Sequence, residues 1–169
     1  MRAVYCLFYG PANESRSSAY NGSSEPLHGD GSMEIRLYEE CDERAVTHLW
    51  TEVLADAAPH NDPVTVIRQK LALERDLFFV AVEDGVVLGT IMGGYDGHRG
   101  WVYALAVSPT HQRRGIGSGL LRHLETAFTR RGCLKVNLQV RASNAGVVAF
   151  YERLGYTIEE RVSMGKRLY

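Results

Sequence analysis

Three glycines at the start of an amphipathic helix pattern constrain the fold of this chain more than any other feature. Residues 111–119 read HQRRGIGSG, with glycine at 115, 117 and 119. The apolar residues of the helix pattern recur at helical spacing and are Ile116, Leu120, Leu121, Leu124 and Phe128. Glycine costs a helix up to about 1 kcal/mol relative to alanine, so three of them here require another purpose.

The first turn of a helix can bind an anion, because its backbone N–H groups lack intrahelical partners and carry a partial positive charge. Glycines remove the side chains that would keep a ligand away, and Arg113 and Arg114 add charge suited to phosphate. The pattern therefore predicts a phosphate-binding turn at the start of this helix. The alternative is tight helix–strand packing with arginines that only solvate a loop. A P-loop lysine is missing, and Leu120 replaces the third glycine of a dinucleotide fingerprint.

Strand and helix patterns alternate on both sides of this turn. Strand patterns cover residues 34–38, 77–82, 86–95, 101–107 and 134–140. The first helix pattern follows a possible cap at Asp42, and the second runs through Ile67 and Leu71. The third continues from the glycines to about Arg131, and the fourth extends from Asn144 to Leu154 and stops before Gly155. Residues 156–169 alternate like one or two further strands. The order predicts an α/β (α+β) fold with a mixed, partly antiparallel sheet.

Composition narrows the class of protein and its partners. The chain has 169 residues, 45% hydrophobic and 23% charged, with a net charge of −1, which suits one globular domain without bulk attraction to nucleic acid or membrane. Cys6, Cys41 and Cys133 fit neither a disulfide framework nor metal-ligand spacing, so we expect reduced cysteines, a cytoplasmic location and no metal. Residues 1–32 are mostly polar and aperiodic, and we expect a disordered or non-native extension before a domain at 33–169.

Two sequence blocks resemble the GNAT superfamily of N-acetyltransferases. LAVSPTHQRRGIGSGLL (105–121) contains the acetyl-CoA signature Q/R-x-x-G-x-G/A, and NAGVVAFYERLGY (144–156) is similar to the second block of that superfamily. The resemblance extends over 33–169. MGGYDGHRG (92–100), NDP (61–63) and GKRL (165–168) look most like the YpeA-type subgroup, with the RimI-type ribosomal-protein acetyltransferases next.

The resemblance implies a mostly antiparallel sheet in which a splayed parallel strand pair binds acetyl-CoA. Backbone groups of Leu105, Ala106 and Val107 would bind the pantetheine arm, and one of their N–H groups would polarise the thioester carbonyl. The N–H groups of residues 113–118, which form the phosphate-binding turn, would hold the pyrophosphate. The implied cofactor-binding residues are Leu105, Ala106, Val107, Gln112, Arg113, Arg114, Gly115, Ile116, Gly117, Ser118 and Asn144.

Two residues of the second block have competing interpretations. Asn144 caps a helix or hydrogen-bonds the cofactor arm, and the resemblance favours the cofactor. Tyr151 lies two helical turns further along the same face. It is either a core aromatic residue or, as the resemblance implies, the general acid that protonates the departing thiolate.

The general base is not fixed by the sequence. Gln139 occupies the position of the glutamate base of RimI-type enzymes, and a neutral amide cannot accept a proton at pH 7. Candidate bases are His98, Asp96 and His60, with Asp62 beside them, and a water relay is an equal alternative.

The resemblance thus implies an acetyl-CoA-dependent N-acetyltransferase that acts by direct transfer to a primary amine of a small molecule or protein. The alternatives are a non-catalytic acyl-CoA-binding module and a RimI-type protein N-terminal acetyltransferase. Many relatives pair through their C-terminal strands, so a homodimer is also possible.

Overall fold

A computed structural model of the chain describes residues 32–54 and 59–168, and the predicted extension lies outside them except for Ser32. Five strands form one sheet in sequence order: β1 (Glu34–Leu37), β2 (Phe78–Glu83), β3 (Val86–Tyr95), β4 (Gly100–Val107) and β5 (Val136–Asn137). Pairs β1–β2, β2–β3 and β3–β4 are antiparallel, and β4–β5 is parallel. The predicted mixed, mostly antiparallel sheet is therefore confirmed.

Four α-helices cover the two faces of the sheet. They are α1 (Glu43–Val53), α2 (Pro63–Glu74), α3 (Ile116–Arg130) and α4 (Ala145–Glu152). Helices α3 and α4 share one hydrophobic core with the sheet, whereas α1 and α2 form a second core on the other face. Helix α3 approaches the sheet closely because a Cβ at Gly93 would lie only 2.5 Å from Leu124 Cδ1.

A glycine ends helix α4. Gly155 has φ +89°, and the Tyr156 N–H donates to Tyr151 O while the Gly155 N–H donates to Glu152 O. These two bonds form a Schellman motif, which confirms the predicted stop at Gly155. Because this motif fixes the chain direction after α4, it also places the Tyr156 ring against Tyr151, with 5.4 Å between the ring centroids.

The structure corrects the predicted C-terminal strands. β5 covers only Val136–Asn137 rather than 134–140, and residues 157–168 contain no strand. Three of the alternating apolar side chains there, Ile158, Val162 and Met164, are largely exposed. Alternation marks which side chains could share a face, but a strand also needs a neighbour to complete its hydrogen-bond ladder. Outside Val136–Asn137, these segments form no strand pairing within the described residues.

The predicted side-chain cap of α1 is also wrong. The carboxylate of Asp42 accepts hydrogen bonds from both terminal nitrogens of Arg36, at 2.7 and 2.9 Å, and from the Glu39 N–H. Asp42 thereby ties β1 to the turn before α1 instead of capping that helix. Within 32–54 and 59–168, the longest helix has 15 residues, and none has the length and apolarity to cross a bilayer.

Candidate active site

The parallel pair β4–β5 opens soon after it begins. Its paired residues are Gly100 with Val136 and Trp101 with Asn137, whereas β4 continues to Val107. The edge of β4 that faces away from β3 is therefore not covered by β5 over its second half. Such an edge presents backbone N–H and C=O groups that can bind an extended ligand.

A β-bulge interrupts β4 in this uncovered half. Thr90 of β3 pairs with Ala106, and Met92 pairs with Tyr103, so Ile91 faces two residues of β4. The extra residue is accommodated at Ala104, whose φ is +45°. Both Tyr103 and Ala104 pack in the core of α1 and α2. A positive φ outside glycine is uncommon and stores strain, and such strain clusters at functional sites.

The phosphate-binding turn connects β4 to α3 with its N–H groups available. Gly115 is the N-cap residue of α3, with φ +82°, and Arg113 also has a positive φ of +64°. Within the helix, the Gly119 N–H donates to Gly115 O at 2.9 Å. The N–H groups of residues 116–118 precede that first helical bond and have no carbonyl four residues earlier in helical geometry.

The glycines of the turn and of the helix after it differ in what surrounds them. A Cβ at Gly117 would lie 3.5 Å from Phe150 Cζ and 3.6 Å from Val107 Cγ2, so Gly117 sits where β4, α3 and α4 meet. A Cβ at Gly119 would instead lie 3.3 Å from Ile35 Cδ1, on the β1 side. Because Gly119 faces β1, we expect only Gly115 and Gly117 to clear the approach of a phosphate.

Most of the residues predicted to bind the cofactor lie at the end of β4 or between β4 and the first turn of α3. Ala106 is buried, and Leu105 and Val107 are half-buried at the end of β4. Gln112 extends its Nε2 to within 3.5 Å of Val107 O, and Ser118 Oγ donates to Gly115 O at 2.8 Å. The side chain of Ile116 is buried in the core that α3 shares with the sheet. Its backbone alone remains for a ligand.

The two arginines of the turn have different surroundings. Arg114 donates from both terminal nitrogens to the Glu83 carboxylate at the end of β2, at 2.6 and 3.1 Å. This hydrogen bond and its charge lower the pKa of Glu83 below its usual range. Arg113 is exposed. Arg114 therefore anchors the turn to β2, and Arg113 stays the cation that we predict to attract a phosphate.

Replacement of each arginine should separate these roles. We expect Arg113→Ala to weaken CoA binding by about threefold to tenfold, with the difference shrinking at high salt as exposed charges are screened. Arg114→Ala should have a smaller effect on CoA binding, because its charge is already neutralised by Glu83. Calorimetric titration with CoA at low and high salt measures both. Equal losses for the two variants, or a loss that does not depend on salt, would contradict this assignment.

Asn144 and Tyr151 each bury a polar atom that the described part of the chain does not satisfy. Asn144 is the N-cap residue of α4 yet makes no side-chain capping bond, and its Nδ2 is buried without a hydrogen-bond partner there. The Tyr151 hydroxyl is also buried without a hydrogen-bond partner among the described residues, and only 2% of that residue is exposed. Burial raises the pKa of Tyr151 well above its usual range, so the phenol keeps its proton. Unsatisfied buried groups are costly, which fits a bound ligand that supplies their partners.

The neighbouring tyrosine is satisfied. The Tyr156 hydroxyl donates to Glu125 Oε1 of α3 at 2.8 Å. Burial, followed by this hydrogen bond and the charge of Glu125, raises the pKa of Tyr156. A phenol in this core can thus find a partner on α3, whereas the Tyr151 hydroxyl finds none among the described residues.

The acidic base candidates already hold backbone N–H groups. Asp96 accepts from Arg99 N and His98 N at 2.9 and 2.8 Å, and these bonds lower the pKa of Asp96. Asp62 caps α2 by accepting from Thr65 N, and hydrogen bonds from Thr65 lower the pKa of Asp62. A lowered pKa makes both carboxylates weaker bases.

The two histidine candidates, His98 and His60, lie in different parts of the structure. His98 lies in the turn before β4, at the opposite end of that strand from the phosphate-binding turn. His60 lies in a short 3-10 turn before α2, a helix that packs in the same core as the bulge residues Tyr103 and Ala104. Exposed Gln139 donates from Nε2 to Ser163 Oγ at 2.6 Å.

Three residues near β4 and the phosphate-binding turn make contacts that the sequence did not predict. Thr90 is one hydroxyl in an apolar strand pattern, where threonine is an ordinary strand former. Trp50 is a core residue of α1, and it donates from Nε1 to Thr90 Oγ1 at 2.8 Å. Glu83 precedes a hairpin turn, and only the tertiary structure shows its pairing with Arg114.

Comparison with known proteins identifies relatives with this architecture. The family model described as acetyltransferase (GNAT) family matches residues 36–156. An acetyltransferase of Pectobacterium atrosepticum is 44% identical over 136 residues, which is 80% of this chain and 96% of that protein. The ribosomal-protein-S18-alanine N-acetyltransferase of Escherichia coli is 31% identical, with a TM-score of 0.62, over 73% of this chain and 77% of that one. The aminoglycoside N-acetyltransferase AAC(6')-Iy in complex with CoA has a TM-score of 0.68 at 19% identity, over 85% and 99% of the two chains.

Proposed function

This chain belongs to the GNAT acetyltransferase family and is an N-acetyltransferase, and we propose that it transfers an acetyl group from acetyl-CoA directly to a primary amine. The observation that carries the proposal is the pair of buried polar atoms on α4, Tyr151 Oη and Asn144 Nδ2, which lack partners among the described residues. Helix α4 approaches the phosphate-binding turn through Phe150, whose ring would lie 3.5 Å from a Cβ at Gly117, and this contact supports a single site.

The proposed binding mode follows from the backbone. The N–H groups of residues 113–118 hold the pyrophosphate of CoA, with Arg113 adding charge. The pantetheine arm runs along the uncovered edge of β4 at Leu105, Ala106 and Val107, where β5 no longer pairs. Asn144 Nδ2 donates to a carbonyl of the arm, which satisfies that buried amide.

In the proposed reaction, an unprotonated amine attacks the thioester carbonyl carbon. The new C–N bond forms as the carbonyl oxygen gains negative charge, and a backbone N–H of β4 stabilises that charge. Collapse of the tetrahedral intermediate breaks the C–S bond, and the Tyr151 hydroxyl gives its proton to the departing sulfur. The amine proton leaves to His60, His98 or water.

The experiment that tests this proposal is a search for the acceptor amine. Release of free thiol from acetyl-CoA is measured with a panel that contains an aminoglycoside, a polyamine and a peptide with an N-terminal alanine. The peptide is included because of the S18-alanine relative. We expect turnover with at least one amine and an equal amount of acetylated amine by mass spectrometry. Tight CoA binding with no turnover on any amine would instead support an acyl-CoA-binding module.

A further inference from the structure

A buried hydrogen-bond relay ends on the carbonyl of the bulge in β4. Trp50 Nε1 donates to Thr90 Oγ1 at 2.8 Å, and Thr90 Oγ1 donates to Ala104 O at 3.1 Å. Thr90 is fully buried, and Trp50 is 4% exposed. The relay connects α1 to β4 through β3, so three elements fix one peptide oxygen.

The direction of the Thr90 hydroxyl is determined by its partners. A hydroxyl has a single proton to donate, and the indole N–H of Trp50 can only donate. The Thr90 proton is therefore free to point at Ala104 O while its lone pair accepts from Trp50. This orientation needs no water, because both partners are protein groups in the core of α1 and α2.

The same peptide unit carries the N–H of Leu105. A trans peptide is planar, so its C=O and N–H point in opposite directions. Since the Ala104 carbonyl points at Thr90 of β3, the Leu105 N–H points away from β3. That direction leads to the edge of β4 that β5 leaves uncovered. Without the relay, the strained peptide after Ala104, at φ +45°, could rotate to a more favourable conformation.

We propose that Thr90 is a positioning residue for acetyl transfer, whose hydroxyl, held by Trp50, fixes the Ala104 carbonyl and thereby aims the Leu105 N–H at the thioester oxygen. The inference rests on the proposed acetyl-CoA binding mode and adds the group that makes the oxyanion contact. Thr90 touches neither substrate. Its contribution is the orientation of one N–H before the reaction begins.

The test compares Thr90→Val, which keeps the shape and loses the hydroxyl, with Thr90→Ser, which keeps the hydroxyl. Loss of an oxyanion donor costs about 100-fold to 1,000-fold in kcat. A misaimed donor should cost less, so we expect kcat to fall about tenfold to 100-fold in Thr90→Val. KM for acetyl-CoA should stay within about threefold, because the phosphate-binding turn is unchanged. Thr90→Ser should restore most of kcat, which a loss of core packing would not explain.

A spectroscopic readout makes the test independent of turnover. The amide proton shift of Leu105 is compared in 15N-labelled protein saturated with CoA or with acetyl-CoA, since only the latter has the carbonyl. We expect a clear difference in the wild-type protein and in Thr90→Ser, and a much smaller one in Thr90→Val. If Thr90→Val does not fold, Trp50→Phe removes the group that holds the hydroxyl and should reduce the same difference.

The outcomes separate this inference from the proposed function. An equal Leu105 shift difference in the wild type and in a folded Thr90→Val, or Trp50→Phe in its place, overturns the inference even if the enzyme is active. So does a wild-type protein whose Leu105 amide does not distinguish acetyl-CoA from CoA. Absence of turnover on any amine overturns the proposed function instead, and the Leu105 shift still decides the role of Thr90.

Discussion

Tyr151→Phe should lower kcat for acetyl transfer by about 100-fold or more, because a general acid contributes about 100-fold to 10,000-fold. The substitution removes only the hydroxyl, and that hydroxyl has no hydrogen-bond partner within the described chain. The affinity for CoA should change little if the phosphate-binding turn and the edge of β4 supply most of the contacts. Steady-state kinetics with the best amine from the panel, together with calorimetric titration of CoA, measure both quantities.

The effect on stability distinguishes the acid from a core aromatic residue. Because the Tyr151 hydroxyl is buried and unsatisfied, its removal should leave the free energy of unfolding of the ligand-free protein unchanged or slightly higher. Tyr156→Phe is the matched control, since it removes the hydrogen bond to Glu125. It should lower stability by about 1–2 kcal/mol and leave kcat largely intact. Tyr151→Phe with wild-type kcat would make Tyr151 a packing residue.

Gly117→Val should weaken CoA binding by about 100-fold with little change in the fold. A side chain there would enter the space between Val107 of β4 and Phe150 of α4, beside the backbone groups of the phosphate-binding turn. Each charge-assisted hydrogen bond that the phosphate loses costs about 1.5–3 kcal/mol, so the loss of one or two bonds accounts for the effect. Calorimetric titration with CoA gives the affinity, and thermal unfolding shows whether the helix survives.

Gly119→Ala is the matched control on the same helix. Its Cβ would meet the end of the Ile35 side chain at 3.3 Å, away from the turn. We expect CoA affinity within about twofold of wild type, since no N–H group of the turn is screened, and alanine favours the helix. Similar losses of CoA affinity in Gly117→Val and Gly119→Ala would mean that these glycines serve helix–sheet packing alone.

Local sequence patterns predicted the elements whose structure depends on residues close together in the chain. The glycine turn, the helix after it and the stop at Gly155 depend on backbone freedom and helical spacing within a few residues. The C-terminal strands failed because alternation cannot supply a partner strand. Asp42 failed as a cap because Arg36, six residues earlier, offered its carboxylate two charge-assisted hydrogen bonds.

The parts of the site that the sequence could not predict depend on contacts between distant residues. Trp50 and Thr90 are 40 residues apart, and Glu83 is 31 residues from Arg114. The bulge at Ala104 is a one-residue shift in the pairing register between β3 and β4. No pattern within β4 predicts that shift. The subgroup within the family, the general base, a homodimer and a cytoplasmic location stay predictions.

Backbone amide shifts of residues 113–118 on addition of CoA test the central claim most directly. Pantetheine is the comparison ligand, because it has the same arm but lacks the pyrophosphate. We expect CoA to shift these amides strongly and pantetheine to leave them near their free positions, while both ligands shift amides at the end of β4. Amides of the turn that do not respond to CoA, or that respond equally to pantetheine, would contradict pyrophosphate binding by this turn.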